Sequence, residues 1–275
     1  MNLAHTFRRF KRSKAALALP VTFLILFVST LAIISFTYYF AVEKVTAQGQ
    51  TLKITSAKEN MLSLDNSILS TLGQPGSSST YEITDSGGLL QIQPNINILS
   101  LSVSDSSSAE QTIFNSSIGN VLYRLPYTPT AQTGLYLKGD SRTIICQTSS
   151  TISQLFILNG AEHPEIHLQY RPTVTYSTAG LENGKTVNNI RIYIVNLTSS
   201  VPISSQGDIL LKIACTNTEL TYQTYSVSSS ENLEMTSVLG VEIGKVSIPI
   251  SSTGEGAIIH IETVVSNVSI ERCIQ

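Results

Sequence analysis

In the stretch EHPEIH, His163, Glu165 and His167 alternate along the chain. A strand would therefore put two imidazoles and a carboxylate on one face, a set able to ligate zinc. The helical spacing HExxH is absent, and Pro164 forbids the helix that such a motif requires. Ile166, Leu168 and Tyr170 occupy the alternate positions and are expected to face inward. That leaves the histidines on a solvated strand edge, and the segment is read as structure rather than as a metal site.

A second stretch, LKGDSRTII, contains Gly139-Asp140-Ser141, the opening of a serine hydrolase signature. Such a signature needs a helix after the serine and a distant Asp-x-x-His, whereas Ile144 and Ile145 continue as strand-type residues and no such histidine pair occurs near the C-terminus. A turn explains the segment better. No glycine-rich phosphate loop and no redox CxxC is present. The expectation is a protein that is not an enzyme and needs no cofactor.

Cys146, Cys215 and Cys273 are the only thiols. Alternation puts Cys146 on the face of Ile144 and Cys215 on the face of Ile213, both inward, while Cys273 shares the more polar face of Ser269 and Glu271. Three arrangements fit: a Cys146–Cys215 disulfide with Cys273 free, buried free thiols, or a Cys273 cross-link between subunits. Asn115, Asn196 and Asn267 each begin an Asn-x-Ser/Thr glycosylation sequon. About a quarter of the chain is Ser or Thr, so three sequons are no more than chance provides.

Charge separates the N-terminal end of the chain from the rest. The 275-residue chain carries 17 Lys and Arg against 19 Asp and Glu. Arg8, Arg9, Lys11, Arg12 and Lys14 crowd the N-terminus, and no acidic residue precedes Glu43. Everything after residue 41 is therefore mildly acidic, at about −7, which gives no basis for nucleic-acid binding. Residues 15–41 are 27 consecutive uncharged, mostly apolar residues. A membrane-spanning helix needs only roughly 20. Five cations before the run, against a cancelling Glu43–Lys44 pair after it, place the N-terminus in the cytoplasm and the remainder outside the cell membrane.

Such a run can be a cleaved export signal, a permanent anchor or an assembly helix. A secretory signal has an apolar core of about 7–15 residues, roughly half of this one, although Val45-Thr46-Ala47 before Gln48 fits a small-residue cleavage site. Lys14-Ala15-Ala16-Leu17, set at the cytoplasmic edge of the apolar run, resembles the class III signal peptide of archaeal type IV pilins and archaellins. That resemblance implies a prepilin peptidase cutting between Ala15 and Ala16. It implies, too, an apolar helix freed to self-assemble or to join other pilin-like subunits, with an assembly ATPase and membrane platform behind it. Pro20 stands at the fifth mature position, where bacterial relatives of that family usually carry glutamate; archaeal members often lack it.

The next segment suits a pilin spine. Ile54, Ala57, Met61, Leu64, Ile68 and Thr71 recur at steps of three and four, with Lys53, Lys58, Glu59 and Asp65 assigned to the remaining surface. A continuous helix over residues 15–72 would span about 87 Å; a break at Gln48-Gly49-Gln50 is the alternative. Beyond Gly73, Pro75 and Gly76 the chain turns to short alternating runs, such as Ile190, Ile192 and Ile194, or Ile209, Leu211 and Ile213. Asn183-Gly184 reads as a hairpin turn, and Pro249 marks an edge strand.

The expected fold is α+β: a long N-terminal helix and an all-β, sandwich-like extracellular head. Its parts are a leader (1–15), a transmembrane helix (16–41), an amphipathic extension (42–72), a linker (73–80) and a β-rich head (81–275), with a candidate lobe boundary near 177–185. The expected function is a structural or adhesive subunit of an archaeal cell-surface filament, of minor or tip type. The alternative is an uncleaved single-pass protein whose β-domain binds a surface partner or glycan without polymerising.

Overall fold

The computed structural model describes residues 4–104, 110–126, 133–147, 150–160, 163–199, 201–228 and 232–273, with side chains from residue 20 onward. One helix, α1 (Ala4–Thr71), precedes two curled β-sheets, and the fold is α+β. The chain divides into two units, Met1–Leu52 and Lys53–Gln275. Gln48-Gly49-Gln50 lies within α1 and does not interrupt it. The helix ends where Gly73 takes φ 76°, a left-handed conformation that costs glycine little. Ser77 Oγ caps the free Thr71 carbonyl at 2.7 Å.

The six-stranded sheet has the order β1 (Ser78–Ile83), β11 (Ile209–Val227), β14 (Ala257–Arg272), β9 (Lys185–Thr198), β8 (Thr173–Glu182), β5 (Ile145–Cys146). The eight-stranded sheet runs β13 (Glu242–Pro249), β12 (Asn232–Leu239), β2 (Leu89–Ser104), β3 (Gln111–Arg124), β7 (Pro164–Tyr170), β6 (Ser153–Asn159), β4 (Leu135–Lys138), with β10 (Ile203–Gln206) also paired to β2. Most neighbours are antiparallel; β9 with β14 and β5 with β8 are parallel. Pro249 does lie on an edge strand, where a missing N–H breaks no ladder.

Two apolar clusters hold the sheets together. The first gathers Ala57, Met61, Leu64 and Ile68 of α1 with Leu90 and Ile92 of β2, Leu168 of β7, and Leu211 and Ile213 of β11. All four helix residues are fully buried. The second gathers Leu99, Leu101 and Met235 with Ile190, Ile192, Ile259 and Ile261, and contains no helix residue. Ile190, Ile192 and Ile194 of β9 enter the second cluster while Val195 and Leu197 enter the first. Strands β9 and β14 pair without a register shift, so this is a true change of face halfway along them. Each long strand thus serves one core with its first half and another with its second.

This arrangement removes the candidate lobe boundary near 177–185. Those residues form the β8–β9 hairpin inside one sheet, turned by Asn183 (φ 49°) and Gly184 (φ 80°), the primed geometry that an Asn-Gly pair favours. Residues 53–275 make one unit with two cores.

Candidate functional site: an apolar helix and a buried carboxylate

Large apolar side chains cover the first part of α1 on every side. From Val21 to Val45 they are between 47 % and 72 % exposed, Phe23, Ile33, Phe36 and Tyr38 among the most open. Hydroxyls in this stretch turn back on the helix. Ser29 donates to the Ile25 carbonyl at 2.8 Å, Thr30 to Leu26 at 2.6 Å and Thr37 to Ile33 at 2.8 Å. In hydrocarbon an unsatisfied polar group costs several kcal/mol, and these bonds remove that cost. Among the described residues α1 is the one helix long and apolar enough to cross a membrane, and its place near the N-terminus fits a membrane anchor or a signal sequence.

Within the second unit α1 carries a charge into the core. Asp65 has no exposed surface, which corrects its assignment to the solvated side of the helix. Its carboxylate accepts hydrogen bonds from Tyr170 Oη at 2.9 Å, Ser153 Oγ at 3.0 Å and Lys138 Nζ. Three strands, β4, β6 and β7, are thereby joined to one helical residue. A buried carboxylate needs such donors, because an unpaired buried charge is very costly. Burial, and then the Asp65 charge, pushes the Tyr170 phenol well above its ordinary pKa, so it stays a donor. The signal for Asp65 was its spacing: it stands four residues after Met61 and three before Ile68, within the apolar stripe.

A second buried charge lies close in sequence. Arg171 is 1 % exposed, and its guanidinium donates to the carbonyls of Arg142 (2.7 Å) and Thr151 (3.0 Å), to Ser150 Oγ (3.0 Å) and to the Asp140 carboxylate. Arg142, more exposed, grips the same carboxylate at 2.7 and 3.0 Å. Arg142 and then Arg171 hold the Asp140 carboxyl well below the usual carboxylate range. Gly139-Asp140-Ser141 therefore supplies an ion-pair anchor at the end of β4.

Arg8, Arg9, Lys11, Arg12, Lys14, Ala15, Ala16 and Leu17 fall where α1 is described as backbone, and their side chains lie outside the described residues. Of the arrangements open to the thiols, the Cys146–Cys215 disulfide is not formed: no two of the three cysteines are bridged within the chain. Cys146 sits on β5 and Cys215 on β11, at opposite sides of the six-stranded sheet with β14, β9 and β8 between them. Four strand spacings of about 4.8 Å separate them by roughly 19 Å, far beyond disulfide reach. Burial raises the Cys146 thiol pKa.

Of the sequon residues, Asn115 is exposed on β3. Asn267, 9 % exposed, donates its amide to Asn217 Oδ1 at 2.7 Å and Glu219 Oε1 at 2.8 Å, and accepts from Asn196 Nδ2 at 2.9 Å. Asn196 and Asn267 thus form part of an amide ladder across β9, β14 and β11. The EHPEIH segment is not a solvated edge, because β7 lies between β3 and β6. The half-buried His167 ring stacks on Phe156, with centroids 5.4 Å apart. Its Nε2 lies 3.3 Å from Glu165 Oε2 without hydrogen-bond alignment, and burial lowers its pKa against the pull of Glu165. Glu165 also meets Arg124 Nε at 3.2 Å.

A long apolar N-terminal helix followed by a β-rich unit is a pilin-like architecture. No family model, no curated protein and no solved structure matches this chain.

Proposed function

We propose that this chain is a pilin-like subunit of an archaeal cell-surface filament, structural or adhesive and of minor or tip type. In this reading a prepilin peptidase cuts between Ala15 and Ala16, and the freed helix assembles with identical or related helices. The observation that supports it most is the division of labour along α1. Its first part exposes apolar side chains all round, while Ala57, Met61, Leu64 and Ile68 are fully buried in the β-rich unit. A simple anchor has no need of a helix continuing into the core of the domain it carries. The five N-terminal cations would orient the precursor and leave with the leader.

The test is the N-terminal residue of the mature protein, read by mass spectrometry of peptides from native cell envelopes. A start at Ala16 is expected, and Ala15→Asp should block it and hold the chain in the membrane fraction. An intact N-terminus would make α1 a permanent anchor. A start at Gln48 would make the helix an export signal. Either result sinks the filament reading.

A further inference from the structure

The second core occupies one face of β9, β14 and β11, and the opposite face of the same segments is left to solvent. There the strand registers align Tyr222 of β11, Glu262 of β14 and Arg191 of β9 in one row across the sheet. His260 and Asn189 form part of the next row, and Tyr193 flanks Arg191 on its own strand. These side chains line a concave groove of about 540 Å³, a size ordinary for ligand sites. Tyr222 is 68 % exposed and Tyr193 37 % exposed.

The groove is ordered before anything binds. Tyr222 Oη donates to Glu262 Oε1 at 3.0 Å, the Arg191 guanidinium pairs with the other Glu262 oxygen, and His260 Nδ1 shares a hydrogen bond with Thr224 Oγ1 at 3.0 Å. A held ring loses little freedom on binding. Charge narrows the choice of ligand. The one guanidinium is already matched by a carboxylate, so the face offers no net attraction to phosphate or nucleic acid. Polar side chains interrupt the aromatic ones, so it offers no continuous seat to an acyl chain or an apolar helix. What it presents is a pair of tyrosine rings among fixed donors and acceptors, on β11 and β9 with β14 between them, two strand spacings or about 10 Å apart across the sheet. That separation is comparable with two successive sugar residues in an extended glycan chain. A pyranose has an apolar C–H face that stacks on an aromatic ring, and equatorial hydroxyls that both donate and accept.

We propose that this face, centred on Tyr193, Tyr222, Arg191 and Glu262, is a binding site for an uncharged oligosaccharide. It would give the subunit of the filament reading its adhesive chemistry, but the site depends on the β-rich unit alone and needs neither leader removal nor assembly.

The test is saturation-transfer NMR and titration of the full chain, solubilised in a detergent without a sugar headgroup. The probes are cellotetraose, mannotetraose and chitotetraose, with tetragalacturonate as the anionic comparison. At least one neutral probe is expected to bind with Kd of about 0.1–1 mM, the range of a shallow groove with few contacts. Tyr222→Ala and Tyr193→Ala should each weaken it roughly tenfold, and Ile243→Ala, on the other sheet, should leave it unchanged. Thermal unfolding of Tyr222→Ala should match the parent, because so exposed a ring adds little to the fold. The proposal is overturned if no neutral probe saturates by about 10 mM, or if binding survives Tyr222→Ala. It is equally overturned if tetragalacturonate binds more tightly than every neutral probe. A sedimentation shift in Tyr222→Ala with no sugar bound would assign the face to contact between copies instead. Sugar binding by a chain whose leader stays uncut keeps this site and ends the filament reading; a cut leader without sugar binding does the reverse.

Discussion

Asp65 and Arg171 are both fully buried charges, yet they hold different things. Asp65 gathers hydroxyl and ammonium donors from three strands onto one helical position. Arg171 gathers loop carbonyls and one carboxylate, and its partner Asp140 keeps a folded pKa far below the unfolded value. That difference has a definite sign. A carboxyl depressed on folding contributes stability above its unfolded pKa near 4, and the contribution is lost as pH falls from there. Asp140→Asn should therefore lower stability at neutral pH and flatten the acid side of the stability profile, checked by urea unfolding between about pH 2 and pH 7. The loss should be about 2 kcal/mol, below the usual figure for breaking a buried pair, because Asp140 is itself partly exposed and Arg171 keeps its carbonyl acceptors. The role of Arg171 was not legible in the sequence, and that of Asp65 showed only as a place within the apolar stripe. Asp65 looked like one more polar helix residue, since periodicity does not say how wide the buried stripe becomes when sheets close on both sides. The acceptors of Arg171 come from 140–151, 20 or more residues away, and only the fold brings them together.

Among the elements, α1 was the easiest to read. Its apolar run and its later stripe of three- and four-residue steps are local signals, and the stripe residues Ala57, Met61, Leu64 and Ile68 are the ones fully buried. Leu64→Ala should cost the β-rich unit about 2–5 kcal/mol, as cavity-forming core substitutions do. Leu24→Ala, on the exposed stretch, should leave unfolding of that unit unchanged. Thermal melts of both variants in the same detergent check the contrast. Strands were legible where alternation is strict, as over 189–194, and their turn at Asn183-Gly184 was legible from its residue types. Of the arrangements open to the cysteines, the Cys146–Cys215 disulfide is ruled out by strand order. Inward-facing alternation puts two cysteines toward a core, but strand order decides whether they meet, and β5 and β11 stand four places apart. Strand order comes from pairings distant in the chain, and one sequence carries little trace of them. The face change in β9 was equally hidden: the IYIVNL stretch shows two adjacent buried residues, Ile194 and Val195, with nothing to say that they serve separate cores.

For the whole molecule the informative division is at residue 53, inside the helix, and not at the linker after it. A chain reduced to residues 53–275 keeps every helix residue of the first cluster and should fold cooperatively in water without detergent. A chain reduced to residues 77–275 loses Ala57, Met61, Leu64 and Ile68 together with Asp65. It leaves Lys138, Ser153 and Tyr170 without their shared acceptor, and it should aggregate or remain unfolded. Circular dichroism and size-exclusion chromatography of the two products settle it; equal behaviour would mean that the helix is a passenger on the β-rich unit. The helix end embedded among both sheets also has a mechanical consequence. If α1 is held in a membrane or a filament while something tugs on the head, tension enters through the segment around Asp65 and spreads at once into strands of both sheets. The joint cannot peel open at a surface, because drawing the helix out means tearing the first core apart. Under force such a subunit should yield in one abrupt step, at a load set by its own unfolding.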